Sequence, residues 1–236
     1  MNENVKADKR RYHAPRRAAQ AADTRHAILA AARALFAQRG YAATTVAEIA
    51  SRAGVSVDTV YASIGRKPVL LRELVETALS GTDHAIPAQH REYVLAIREA
   101  NRAEDKITIY ADALVAIQQR LTPIFLALRE AATTDESCAR VWTEISERRA
   151  VNMRQFAADL RGTGQLRDDL SDDEVADIIW SMNATEYWVL LVGERHWTAE
   201  RFRDWLADAW IRLLLRDPQI ARGSLQRPPT AGSGDS

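Results

Sequence analysis

The chain has 236 residues, 32 Lys and Arg balanced by 32 Asp and Glu, and one cysteine, Cys138. One cysteine excludes an intrachain disulfide framework and a cysteine-built metal site, and no apolar run approaches the ~20 residues that span a bilayer. The length suffices for one large domain or two small ones with a real core.

The neutral total hides an asymmetry. Residues 1–80 carry 13 Lys and Arg against 7 Asp and Glu, and the remaining residues carry 19 against 25. A basic front on an acidic body points to a polyanion partner for the front, unless the surplus is only surface arginine. The N-terminus lacks the apolar core of a signal peptide, so the cytoplasm is the expected location.

In chain order, residues 1–21 read as a disordered basic arm, polar and without periodicity. Its cations include Arg10, Arg11, Arg16 and Arg17. They suit non-specific phosphate contacts or a narrow minor groove, but also a merely solubilising tail. Almost everything from 22 to 216 reads as helix: Ala, Leu, Arg and Glu dominate, and no segment alternates with period two over strand length. Asp23 or Thr24 is expected to cap a first helix whose face is Ile28, Leu29, Ala32, Leu35 and Phe36, ending at Gly40. Thr44 or Thr45 caps a second helix, Thr45 and Glu48 having capping-box spacing. A third starts at Ser56 and stops near Ile64; a fourth starts at Pro68 and runs to Gly81. Further helices are expected at 89–100, 103–131 with a kink or break at Pro123, 135–161, 171–193 and 198–216, before a disordered tail, 217–236.

Two short helices joined by Ala53-Gly54-Val55-Ser56 form a helix-turn-helix pattern. The third helix would expose Val57, Asp58, Thr59, Ala62 and Ser63, small enough to let backbone approach a major-groove floor. Ser56 caps it; Thr44, Thr45, Arg66 and Lys67 flank it with hydroxyls and cations suited to phosphate. An ordinary helical corner, as found in many enzymes, gives the same pattern.

Residues 24–74 resemble the DNA-binding domain of TetR-family transcriptional regulators. The marks are Leu35-Phe36 before Arg39-Gly40-Tyr41, Thr44-Thr45 with Ile49-Ala50, Ala53-Gly54-Val55-Ser56, then Tyr61, Lys67 and Leu70-Leu71. Each is weak singly; the ordered set is specific. The resemblance implies an all-α protein with a helix-turn-helix head at 22–67, a connecting helix at 68–81, and a helical ligand-binding and dimerisation body at 82–216. It implies phosphate contacts from Tyr61 and Lys67, base reading from Val57, Asp58 and Thr59, and a homodimer on double-stranded operator DNA with a small-molecule effector. Ile64 stands where the family usually has an aromatic residue, a core exchange. Asp58 is unusual on a surface that meets a polyanion; it either accepts from a cytosine amino group or caps the helix and steers an arginine.

In the body, the apolar faces of 171–193 and 198–216 exceed what one chain readily covers, so Trp188, Leu191, Trp205 and Trp210 are expected at a two-fold interface. Arg149 and Glu186 interrupt apolar stripes. They form either a structural pair or, with Tyr110, Asn183 and Tyr187, the polar lining of an effector pocket walled by Phe125, Trp142 and Trp180. No metalloprotease, phosphate-loop or nucleophile-elbow motif occurs, and no cofactor is expected. The rival class is an all-α enzyme or interaction module that keeps the helix-turn-helix without binding DNA.

Overall fold

The computed structural model describes residues 4–82 and 84–216, with side chains from Arg17 onward. Among these the chain is helical, and extended pairing is limited to one bridge between Leu166 and Leu215. No helix among them is long and apolar enough to cross a membrane.

Helix α1, Asn4–Arg39, runs straight through the expected cap at Asp23 or Thr24. The expected disordered arm is thus helical backbone from residue 4. The run Ala18-Ala19-Gln20-Ala21-Ala22 explains the continuity: alanine loses least on entering a helix. Its end is as expected, at Gly40, whose φ of 76° suits a residue without Cβ. Helix α2, Val46–Ala53, opens on the Thr45–Glu48 capping box and closes on left-handed Gly54. Helix α3, Val57–Ser63, is capped by Ser56, and α4, Lys67–Ser80, carries Pro68 in its first turn. Ile28, Phe36, Ile49, Val60, Leu70, Leu71 and Leu74, each 1 % exposed or less, form the core of this head.

A 3₁₀ turn at Ala88–His90 leads to α5, Glu92–Glu99, then α6, Ala103–Ala131, and α7, Glu136–Arg161. Pro123 lies inside α6 without ending it. The missing hydrogen bond costs about 3 kcal/mol, which burial of Ile124, Phe125 and Leu128 on the next turn offsets.

The helix expected over 171–193 is divided. Helix α8, Asp172–Met182, stops at Asn183; α9, Thr185–Trp188, follows and widens into a π-type turn over Val189–Glu194. The break has a polar cause. Asn183 is buried and its amide donates to the Tyr110 hydroxyl at 2.8 Å, while Ala184 turns extended. A helix terminus there places the amide where its partner is. The last helix, α10, Ala199–Leu214, is capped by Thr198.

The chain divides into two compact units: Met1–Arg91 with Ala116–Arg148, and Glu92–Val115 with Arg149–Ser236. The expected 82–216 body is therefore shared, with 116–148 grouped with the head. The second unit has its own core, in which Tyr110, Phe156, Ile179, Phe202 and Trp210 are buried.

Candidate DNA-binding and effector sites

Ser56 accepts from the Thr59 amide at 3.1 Å, and the two hydroxyls meet at 2.8 Å. That cap fixes the start of α3 and holds the Thr59 hydroxyl along the helix. With Val60 fully buried beneath, Val57, Asp58, Tyr61 and Ala62 face solvent, Tyr61 at 48 % exposure. Ser63 and Thr59 are half-buried, and the Ser63 carbonyl accepts from Arg25. Arg66 is exposed just beyond. The structure thus brings these residues onto one accessible face, with Thr45 exposed at the start of α2. Thr45 and Glu48 bond reciprocally, at 2.8 and 3.2 Å through the two amides. The bonds from Thr45, joined by the charge of Arg39, hold the Glu48 carboxyl below its ordinary range.

Thr44 does not belong to that face. Its side chain is 0 % exposed and its hydroxyl donates to the Gly40 carbonyl at 2.8 Å. The second threonine caps the helix, and the first is consumed by closing the turn after α1.

Lys67 is half-buried. Its ammonium donates to the Tyr41 carbonyl at 2.7 Å and lies 4.0 Å from the centre of the Tyr41 ring. Burial lowers its pKa, while Cys138, Asp135 and Glu48 pull the other way. An ammonium has three donors, so one bond to Tyr41 leaves others for an external oxygen. Sequence reasoning placed Lys67 but missed Tyr41 as its platform; the signal was the Gly40-Tyr41 pair itself. Of the arm, Arg17 is exposed on α1, and the side chains of Arg10, Arg11 and Arg16 lie outside the described residues.

The eight expected effector residues fall into two groups. Phe125 and Trp142, in the first unit, pack on each other with ring centres 4.7 Å apart. The other six lie in the second unit. Tyr110 and Asn183 are core, tied by the bond that ends α8. Arg149 donates to the Trp180 carbonyl at 2.7 Å and stacks 4.3 Å from that ring. Burial lowers its pKa, opposed by Tyr110 and Glu186. Tyr187 packs against Trp205.

Two of the expected interface residues are corrected. Trp210 is 0 % exposed and stacks on Tyr110 within its own unit, and Trp188 is buried against Phe202. Both fill an intrachain core, because helical periodicity alone does not distinguish a core face from an interface face. Leu191 and Trp205 stay half-exposed. Leu190 and Leu213, at 51 % and 42 % exposure, are among the exposed apolar side chains of this unit.

A helix-turn-helix head with an exposed short helix, followed by an all-helical remainder, is an architecture suited to DNA binding. Residues 28–74 match the sequence model of the bacterial regulatory proteins of the tetR family. That match covers the head, which is therefore a helix-turn-helix domain of the tetR type. A fatty acid degradation regulator, FadR from Bacillus halodurans, superposes with a TM-score of 0.63 at 17% identity, covering 78% of this chain and 94% of that one. A transcriptional regulator from Saccharomonospora viridis in complex with choline gives 0.61 at 20%, covering 82% and 98%. GusR from Salmonella enterica gives 0.60 at 17%, covering 81% and 95%. At these identities the likeness is one of fold. Among curated proteins none matches the chain.

Proposed function

We propose that this protein is a dimeric repressor that binds a palindromic operator and is released by a small-molecule effector. The observation that carries the reading is the exposed face of α3, where Val57, Asp58, Tyr61 and Ala62 stand out from a helix pinned by Val60. A seven-residue helix gains little from burying one valine. Presenting small side chains to base edges gives it a use, with Tyr61, Arg66 and Lys67 setting register on phosphate. Thr45, Ser56, Thr59 and Ser63 contribute hydroxyls at the rim.

Two-fold half-sites need a two-fold protein. Leu190, Leu191, Trp205 and Leu213 are among the apolar side chains left accessible on the last segments, and they support pairing of two copies there. The effector site is assigned to the second unit. Arg149 Nε, Trp180 Nε1 and Trp210 Nε1 are buried donors that meet no acceptor among the described residues. Each such donor costs about 1–3 kcal/mol, so a ligand rich in acceptor oxygens gains by meeting them. Effector and operator then oppose each other through linkage.

Gel retardation with the DNA upstream of the protein's own gene tests the reading. The wild type should form a discrete complex, and the Tyr61→Ala/Lys67→Ala double variant should lose it. Retardation insensitive to both substitutions would remove this face as the contact surface.

A further inference from the structure

The first unit holds a groove of about 520 Å³ between α1, α4 and the 116–131 part of α6. Its walls are mainly apolar, with Leu29 and Ala34 from α1, Leu74 from α4 and Pro123 from α6, and His26, Thr77, Thr82 and Gln119 also reach the lining. Into this wall come two arginines, Arg33 and Arg120, both half-buried. Arg33 donates to the Arg120 carbonyl at 3.0 Å and to the Thr77 hydroxyl at 3.4 Å. Arg120 donates through Nε to the Ala78 carbonyl at 3.0 Å, on the last turn of α4. Neither guanidinium meets a carboxylate among the described residues.

That arrangement is electrostatically unbalanced. The negative end of α4 answers part of the Arg120 charge, worth about half an elementary charge. A second guanidinium stands beside it in a partly desolvated setting, where like charges repel more strongly than in water. Burial and the neighbouring Arg120 both push Arg33 below its ordinary pKa, the direction expected for a cation short of a counter-charge. Two carbonyls and one hydroxyl use only some of the ten N–H donors of the pair. The remainder offer the forked geometry that matches an oxyanion.

We infer that this groove binds an organic monocarboxylate, with the carboxylate on Arg33 and Arg120 and an apolar body along Leu29, Leu74 and Pro123. The volume lies within the range of small-molecule sites, and the lining matches their usual pattern of apolar wall with few polar anchors. A bare inorganic anion would leave that wall unused, and a neutral apolar ligand would leave the charges unanswered. The site is separate from the effector site assigned to the second unit and does not depend on it. Because α1 and α4 both belong to the head, a ligand here bears on the elements that carry α3.

Calorimetric titration of octanoate into the full-length protein without DNA tests the inference, with octanol and inorganic phosphate as companion probes. Octanoate should bind at least about tenfold more tightly than either companion, since octanol lacks the charge that the arginines answer and phosphate lacks the chain that the apolar side chains cover. Arg33→Gln and Arg120→Gln should each weaken it about tenfold. Ala34→Phe, which fills the groove and keeps both cations, should abolish it even if an arginine variant fails to fold. No heat with octanoate, equal affinity for octanol or phosphate, or affinity unchanged in Ala34→Phe would each overturn the inference.

Discussion

Lys67 lies across Tyr41: its ammonium donates to the Tyr41 carbonyl at 2.7 Å and stands 4.0 Å from the ring centre. The Tyr41 hydroxyl in turn donates to Asp135 at 3.0 Å, so the loop after α1 links the start of α4 to the start of α7. A cation held on an aromatic face and a carbonyl has few rotamers left to lose when it meets a phosphate. Lys67→Met keeps the stem and removes the charge. DNA affinity should fall, and the slope of log K against log salt should flatten by about 1. Fluorescence anisotropy over a salt series reads both; weaker binding with an unchanged slope would make Lys67 a packing residue only.

Asp135 gives a pH prediction. Burial alone would raise its carboxyl, but the Tyr41 hydroxyl and the amides of Cys138 and Ser137 outweigh it, and the folded pKa lies below the ordinary value. A depressed carboxyl contributes stability that is present above the unfolded pKa and lost as pH falls through the folded one. Tyr41→Phe should cost about 1 kcal/mol at neutral pH and bring acid unfolding to a higher pH. Urea melts between neutral and acidic pH check it, and an acid limb unmoved by the substitution would count against the linkage.

Ser56 is the cap of a helix too short to hold itself. Ser56→Ala should cost about 1 kcal/mol and weaken operator binding, while Ser56→Asp should retain the cap and lose affinity through charge. Chemical denaturation alongside DNA titration separates the two effects.

Asp58 is exposed in the first turn of α3, where its charge complements the helix dipole. It opposes an approaching phosphate backbone, so Asp58→Asn should tighten binding to random-sequence DNA severalfold. Unchanged random-DNA affinity together with lost operator affinity would instead assign Asp58 to base reading.

Trp210 and Leu213 lie three residues apart and should behave oppositely. Trp210→Ala opens the second core and should cost about 3–5 kcal/mol. Leu213→Glu changes an exposed position, so the fold should survive while sedimentation shows monomer. A stable dimer of Leu213→Glu would move the interface elsewhere.

The head was legible because its signals are local. A capping box, a glycine with positive φ and a three-to-four residue apolar spacing are each decided within a few residues, so α2, α3 and the end of α1 fall where the pattern places them. The effector and interface residues were less legible. Trp188, Trp210 and Tyr110 read equally as pocket, interface or core, since periodicity gives a face but not what covers it. The break at Asn183 has no glycine or proline to announce it; its cause is a hydroxyl 73 residues away in sequence.

The sequence by itself determined an all-helical chain, its basic front and the helix-turn-helix with its exposed third helix, because propensity, capping and charge act over short range. Only the tertiary structure decided that Thr44 is spent inside the turn, that Lys67 rests on Tyr41, that residues 116–148 group with the head, and that two arginines share one apolar groove. Those outcomes depend on which distant side chains compete for the same donors and the same buried space, and that competition exists only once the helices are packed.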